Sequence, residues 1–187
     1  MENYELKAMI KEVLNDRDLS IHQIPDIGLY MEQVISLIDN ALAVNKRTPQ
    51  DKLITKTMIN NYTKEGLLPA PEGKKYGMEH ILRLLLVLAM KNVLSLNDIG
   101  IVLRSFSAEH EDSLTAFKAS YKNYLVVKEQ LRQNAAKSIE ELIDQEDMNP
   151  NRKEDLLVLL LGMTSMADEM KRTAEKMIDV YFKEDHE

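Results

Sequence analysis

The chain has 187 residues, 44% of them apolar, with no cysteine and a formal net charge of −7. This length suits one domain with an extension or two small ones, and the apolar share is enough for a packed core rather than a disordered chain. The absence of cysteine excludes a disulfide-stapled scaffold, a thiolate metal site and a cysteine nucleophile. With only six glycines and five prolines, the composition favours helices. The acidic start MENYELKAMIKEVLNDRD lacks the basic and apolar regions of a signal peptide. The apolar runs at 84–90 and 156–163 are far shorter than the roughly 20 residues of a membrane span. A cytoplasmic protein with no membrane partner is expected.

Residues 3–15 place Leu6, Met9, Ile10, Val13 and Leu14 at helical spacing, and SIHQIPDIGL (20–29) is a connector broken by Pro25 and Gly28. Over 30–44, Met31, Val34, Ile35, Ile38 and Leu42 form the stripe of an amphipathic helix. NKRTPQDK (45–52) is a basic loop. A short helix is expected at 55–65, with Thr55 as N-cap and Gly66 at the left-handed position after its end. Met58, Ile59 and Tyr62 share one side of it, while Lys56, Thr57, Asn60 and Lys64 share the other. LLPAPEGKKYG (67–77), with two prolines and two glycines, is a loop or a small two-stranded turn.

Residues 78–92 are apolar nearly all round, as in a central core helix, and 93–106 hold another helix with Ser95 as N-cap and Asp98 three residues on. Two long helices follow, at about 112–145 and 152–183, hinged at EDMNPNRK. Met163, Met166, Met170 and Met177 line one side of the last helix. Core or dimer packing is the reading preferred for them, with a groove for a small apolar effector as the alternative.

Catalytic and metal constellations are absent from the pattern. His22, His80, His110 and His186 have no ligand spacing, and no phosphate loop or GxGxxG occurs. The acidic cluster Glu140, Glu141, Asp144, Glu146 and Asp147 reads as a solvated helix end. The expectation is a non-enzyme without cofactor or metal. Charge, however, is segregated. Residues 46–104 hold ten basic and five acidic side chains, net +5, between an N-terminal segment of net −5 and a C-terminal one of net −7. A local positive field is what meets a polyanion. Asn can hydrogen-bond adenine in the major groove and Lys neutralises phosphate. An ordinary solvated helix face is the competing reading of the same residues.

MINNYTKEGLLPAPEGKKYGMEHILRLLLVLAMKNVLSLNDI resembles the winged helix–turn–helix of the MerR family of bacterial transcription regulators. Tyr62, Gly66, Leu67, Leu68 and Pro69 match the end of that family's recognition helix and its Gly-Leu-Leu-Pro. Lys75 and Tyr76 match the end of the wing, Gly77 to His80 the start of the third helix, and Ser95, Leu96, Asp98 and Ile99 the fourth. The first 110 residues are more closely similar to uncharacterised MerR-like proteins of low-GC Gram-positive bacteria. Asn60-Asn61 replaces the regulators' Arg-Tyr, and KRTPQDK lengthens the loop between the first two helices. The resemblance implies an all-α fold with a small β-wing and a long C-terminal helical hairpin. It divides the chain into an N-terminal helix and connector (1–29), a winged helix–turn–helix (30–106) and a dimerisation or effector region (107–187). It further implies that a homodimer binds double-stranded DNA. Thr57, Asn60 and Asn61 would face base edges. Lys56, Lys64 and the Tyr62 hydroxyl would face phosphate, with Lys74 and Lys75 on the wing and Lys46, Arg47 and Lys52 extending the strip. A protein-interaction domain acting through its C-terminal helices is the alternative.

Overall fold

The computed structural model describes residues 3–108 and 112–183. The protein is mostly helical: α1 (Asn3–Leu14), β1 (Leu29–Tyr30), α2 (Met31–Ala41), α3 (Lys56–Lys64), β2 (Lys75–Tyr76), α4 (Met78–Met90), α5 (Leu96–Ala108), α6 (Ser113–Gln145) and α7 (Lys153–Tyr181). Single 3-10 turns occupy Ile21–Gln23 and Ala43–Asn45. Packing divides the chain into two compact units that do not follow sequence order. One joins Met1–Asp16 to Tyr124–Thr173, the other Arg17–Asn123 to Ala174–Glu187.

Local chemistry explains each boundary in the larger unit. The helix expected from residue 30 starts at Met31 because Tyr30 is extended. Its backbone N–H donates to Gln33 Oε1 at 2.8 Å, which caps α2. The Thr55 hydroxyl accepts from the Met58 N–H at 3.2 Å and opens α3. Gly66, at φ 71°, closes it. The Leu67 N–H then reaches back to the Tyr62 carbonyl at 2.9 Å, the long bond of a left-handed helix stop. Leu67 and Leu68 turn into the core beside Ile59, Ile81, Leu82 and Leu84, all at most 3% exposed. The Ser95 hydroxyl accepts from the Asp98 N–H and donates to its carboxylate, so the cap read from sequence carries a side-chain pair as well.

The 67–77 segment resolves into a tight turn and one strand. Gly73 and Lys74 both have positive φ, 53° and 67°. Two successive positive values are what a two-residue turn of the I′ kind requires, and the Lys75 N–H bonds the Glu72 carbonyl at 2.9 Å across it. Strand β2 then pairs antiparallel with β1, Leu29 opposite Tyr76 and Tyr30 opposite Lys75. The second strand of the sheet therefore comes from the connector, not from within the loop. Leu29 and Tyr76 are buried, while Tyr30 and Lys75 face out.

Arg83, 8% exposed, is held on α4 by Glu79 at 2.8 Å and by the Ser107 hydroxyl at 2.7 Å, with the Phe117 ring 4.6 Å from its guanidinium carbon. A charge that deep is tolerated because its donors are occupied. The Tyr121 hydroxyl donates to the Leu19 carbonyl at 2.8 Å and fixes α6 to the connector.

The smaller unit packs Leu6 and Ile10 of α1 against Ile143, Met148 and Leu159. Two ion pairs flank this core, Lys7–Asp144 at 2.5 Å and Lys11–Glu140 at 2.8 Å, so part of the acidic cluster is paired rather than simply solvated. At the end of α1, burial would raise the Asp16 carboxyl, but hydrogen bonds from Arg132 and Lys128 outweigh it and hold it below its ordinary value. Among the described residues no helix is long and apolar enough to cross a membrane.

Two stability changes follow. A Cβ at residue 66 would meet nothing within 4 Å, so Gly66→Ala pays only backbone strain. A loss of about 1 kcal/mol and a melting point lower by roughly 3 °C is expected in a thermal scan. Asp16→Asn should cost about 1 kcal/mol at neutral pH, a figure kept small by solvent screening. Because the folded-state value is depressed, this contribution is present above the unfolded pKa and lost as pH falls through the folded one. Urea titrations of the two proteins should differ at pH 7 and converge in strong acid.

Candidate nucleic-acid interface

Helix α3 is amphipathic in the sense the sequence indicates. Ile59 and Tyr62 are 0% and 3% exposed and Met58 is half-buried, while Lys56, Thr57, Asn60, Asn61 and Lys64 all face solvent. Tyr62 differs from the other residues expected at the interface. Its ring is in the core, burial raises its hydroxyl pKa, and it offers no surface group.

Lys74 stands exposed at the tip of the turn in the left-handed region, where a side chain is disfavoured and glycine or asparagine is usual. Lys75 is also exposed, its ammonium 5.8 Å from the Tyr30 ring centroid. A Cβ on Gly28 would stand 3.0 Å from Lys75 Cβ, so the bare glycine lets the lysine stem lie across the connector.

The start of α3 and the wing strand meet the same three residues of chain. Glu32, in the first turn of α2, pairs with Lys56 at 2.5 Å. Its neighbour Tyr30 pairs in the sheet with Lys75. The hydrogen bond from Lys56 is the largest of the effects lowering the Glu32 carboxyl pKa, so Lys56 is a partly neutralised cation. Tyr30, Glu32 and Gly28 are the members of this surface that the sequence pattern did not reveal. Two extended residues are too short to show strand periodicity, and Tyr30 falls within the helix expected over 30–44.

The basic loop divides. Arg47 and Lys52 are exposed. Lys46 is held by Asp39 at 2.7 Å with its side chain only 11% exposed, so it belongs to the scaffold. Lys91, also in this segment, donates to the Leu53 carbonyl at 2.9 Å, and burial lowers its pKa. His80 serves locally too. It is 9% exposed, its Nδ1 accepts from the Gly77 N–H at 3.2 Å, and its Nε2 lies 3.4 Å from the Ala70 carbonyl. The first bond makes Nδ1 the acceptor and leaves the proton on Nε2.

His110 and His186 lie outside the described residues, and among the described residues no group of three His, Asp or Glu is placed to hold a metal ion. Met163, Met166, Met170 and Met177 are all exposed, between 41% and 62%.

A family model for a domain of unknown function, DUF1836, matches residues 19–124. No curated protein and no solved structure matches the chain. The matched span takes in the connector, both strands, helices α2 to α5 and the start of α6, more than half of the 187 residues, and the chain belongs to this DUF1836 family.

Proposed function

We propose that this chain binds double-stranded DNA as a transcriptional regulator, using α2 and α3 as a MerR-like helix–turn–helix and the 67–77 segment as its wing. The observation that carries the reading is the convergence at residues 30–32 of the α3 face and the lysine-bearing wing. Both lie within the one positive segment of an acidic chain. In this reading α3 enters the major groove with Thr57, Asn60 and Asn61 toward base edges. Lys64, Lys74 and Lys75 meet phosphate, and Lys56 joins them by exchanging Glu32 for the backbone. Arg47 and Lys52 lengthen the strip. The left-handed lysine at the wing tip supports it further, because backbone strain at an exposed charged side chain is a mark of functional positions. One such domain makes few contacts, so two copies related by a two-fold axis would read paired half-sites. No catalytic activity is proposed.

A protein-interaction domain is the second reading, and the Lys56–Glu32 pair favours it, since an acidic residue set beside the helix weakens its field. Asn60-Asn61, in place of the regulators' Arg-Tyr, points the same way. Selection of bound duplexes from a random DNA library decides between them. The DNA reading expects an enriched sequence with two-fold symmetry, and salt-independent or absent binding would sink it.

Variants separate affinity from stability. Lys74→Ala with Lys75→Ala should weaken binding to all sequences and reduce the slope of log affinity against log salt by up to about two. Lys74→Gly relieves left-handed strain worth about 1 kcal/mol at some entropic cost. It should melt no lower than the parent and still bind DNA less tightly. Glu32→Gln should raise DNA affinity by freeing Lys56. In the protein-interaction reading none of the three changes DNA binding.

A further inference from the structure

Helix α7 leaves its own core after Leu159. Leu156 and Leu159 pack on the α1 and α6 side chains, yet every residue from 160 to 173 is exposed. Along this stretch Leu160, Met163, Met166, Ala167 and Met170 recur at spacings of three and four, one continuous apolar stripe. A helical stretch of about this length is marginal in water unless an apolar face is packed. The four large side chains of the stripe, Leu160, Met163, Met166 and Met170, are 41–62% exposed. At that exposure these four hold on the order of 400 Å² of apolar surface. This is about the apolar share of one side of a standard interface, roughly 800 Å² per partner, and of the size of the largest apolar patches on monomers, which are often functional.

We propose that a second copy of this chain covers the stripe, with the 160–173 stretches of two copies packed antiparallel about a two-fold axis between Met166 and Ala167. The inference rests on the dimeric part of the reading above and is independent of its DNA part. A two-fold pairing that uses only the free stretch must centre on its midpoint. There Met166 of one copy stands level with Ala167 of the other, large against small, and Met163 stands level with Met170. Charge selects the same arrangement. The stretch is uncharged from 160 to 167, and Asp168, Glu169, Lys171 and Arg172 crowd its second half. Antiparallel pairing sets these level with Ser165, Thr164, Gly162 and Leu161 of the other copy. Parallel in-register pairing would set each charge level with its own like, which is unfavourable.

The lack of native cysteine makes the register directly readable in single-cysteine variants of the full chain. In the proposed pairing the two copies of residue 166 differ by one residue in level, about 1.5 Å along the axis, whereas the two copies of residue 163 differ by seven, about 10 Å. A disulfide tolerates only up to roughly 7 Å between Cα atoms. Light scattering should give a dimer for the parent. Copper-phenanthroline oxidation should link Met166→Cys to itself. Met163→Cys should not link to itself, but should link to Met170→Cys when the two are mixed. Met166→Asp should be monomeric with its helical circular dichroism retained. If it fails to fold, the cysteine series decides. A monomeric parent overturns the proposal, whether an effector or another protein then occupies the stripe. So does self-linking of Met163→Cys as efficient as that of Met166→Cys. Failure to select any DNA leaves these readouts unchanged and bears only on the DNA reading.

Discussion

Two residue pairs, Leu29 with Tyr76 and Tyr30 with Lys75, organise the larger unit. The ladder is minimal, yet it joins segments 45 to 47 positions apart and sets the start of α2 against β2. Alternation across it separates core from surface, since Leu29 and Tyr76 point inward while Tyr30 and Lys75 point out. Everything at the candidate interface depends on that division. It places Lys75 opposite Tyr30, two residues before Glu32, the partner of the first lysine of α3. The left-handed residues Gly73 and Lys74 make the return possible, and Gly66 supplies the sharp stop that frees the chain to begin it.

The electrostatics are finer than net charge suggests. A positive segment lies inside an acidic chain, but its cations have different employments. Lys46 and Lys91 are tied into the scaffold by Asp39 and the Leu53 carbonyl, and Arg83 is buried in its own network. Besides Lys56, those left at the surface, Arg47, Lys52, Lys64, Lys74, Lys75 and Arg104, lie on the loops, the 73–76 turn and strand, the outer face of α3 and α5. Arginine and lysine counts therefore overstate the usable field, and the acidic Glu32 reduces it again at Lys56.

Helix α7 presents a different balance. Its first turns are secured by the α1–α6 core, while its middle carries an exposed apolar stripe. Hydrophobic burial is the principal source of helix stability in folded proteins. A stretch that leaves this surface in water forgoes that source of stability.

Much of the architecture could be read from residue order. Helical spacing located all seven helices, Thr55 and Gly66 bounded α3, and the same wheel that put Ile59 and Tyr62 inside put Lys56, Asn60 and Lys64 outside. These are local effects, set by periodicity, capping and left-handed turns within a few residues, so the sequence by itself determined them. Tertiary structure alone decided the rest. Strand β1 exists because β2 pairs with it, and two residues carry no periodicity of their own. Lys46 is occupied and Lys74 is free because of what folds beside them, not because of what precedes them. Lys7 meets Asp144 across 137 positions, and the methionines of α7 look the same in sequence whether they fill a core or face water. Pairing, burial and charge compensation are properties of neighbours in space, and only the folded chain brings those neighbours together.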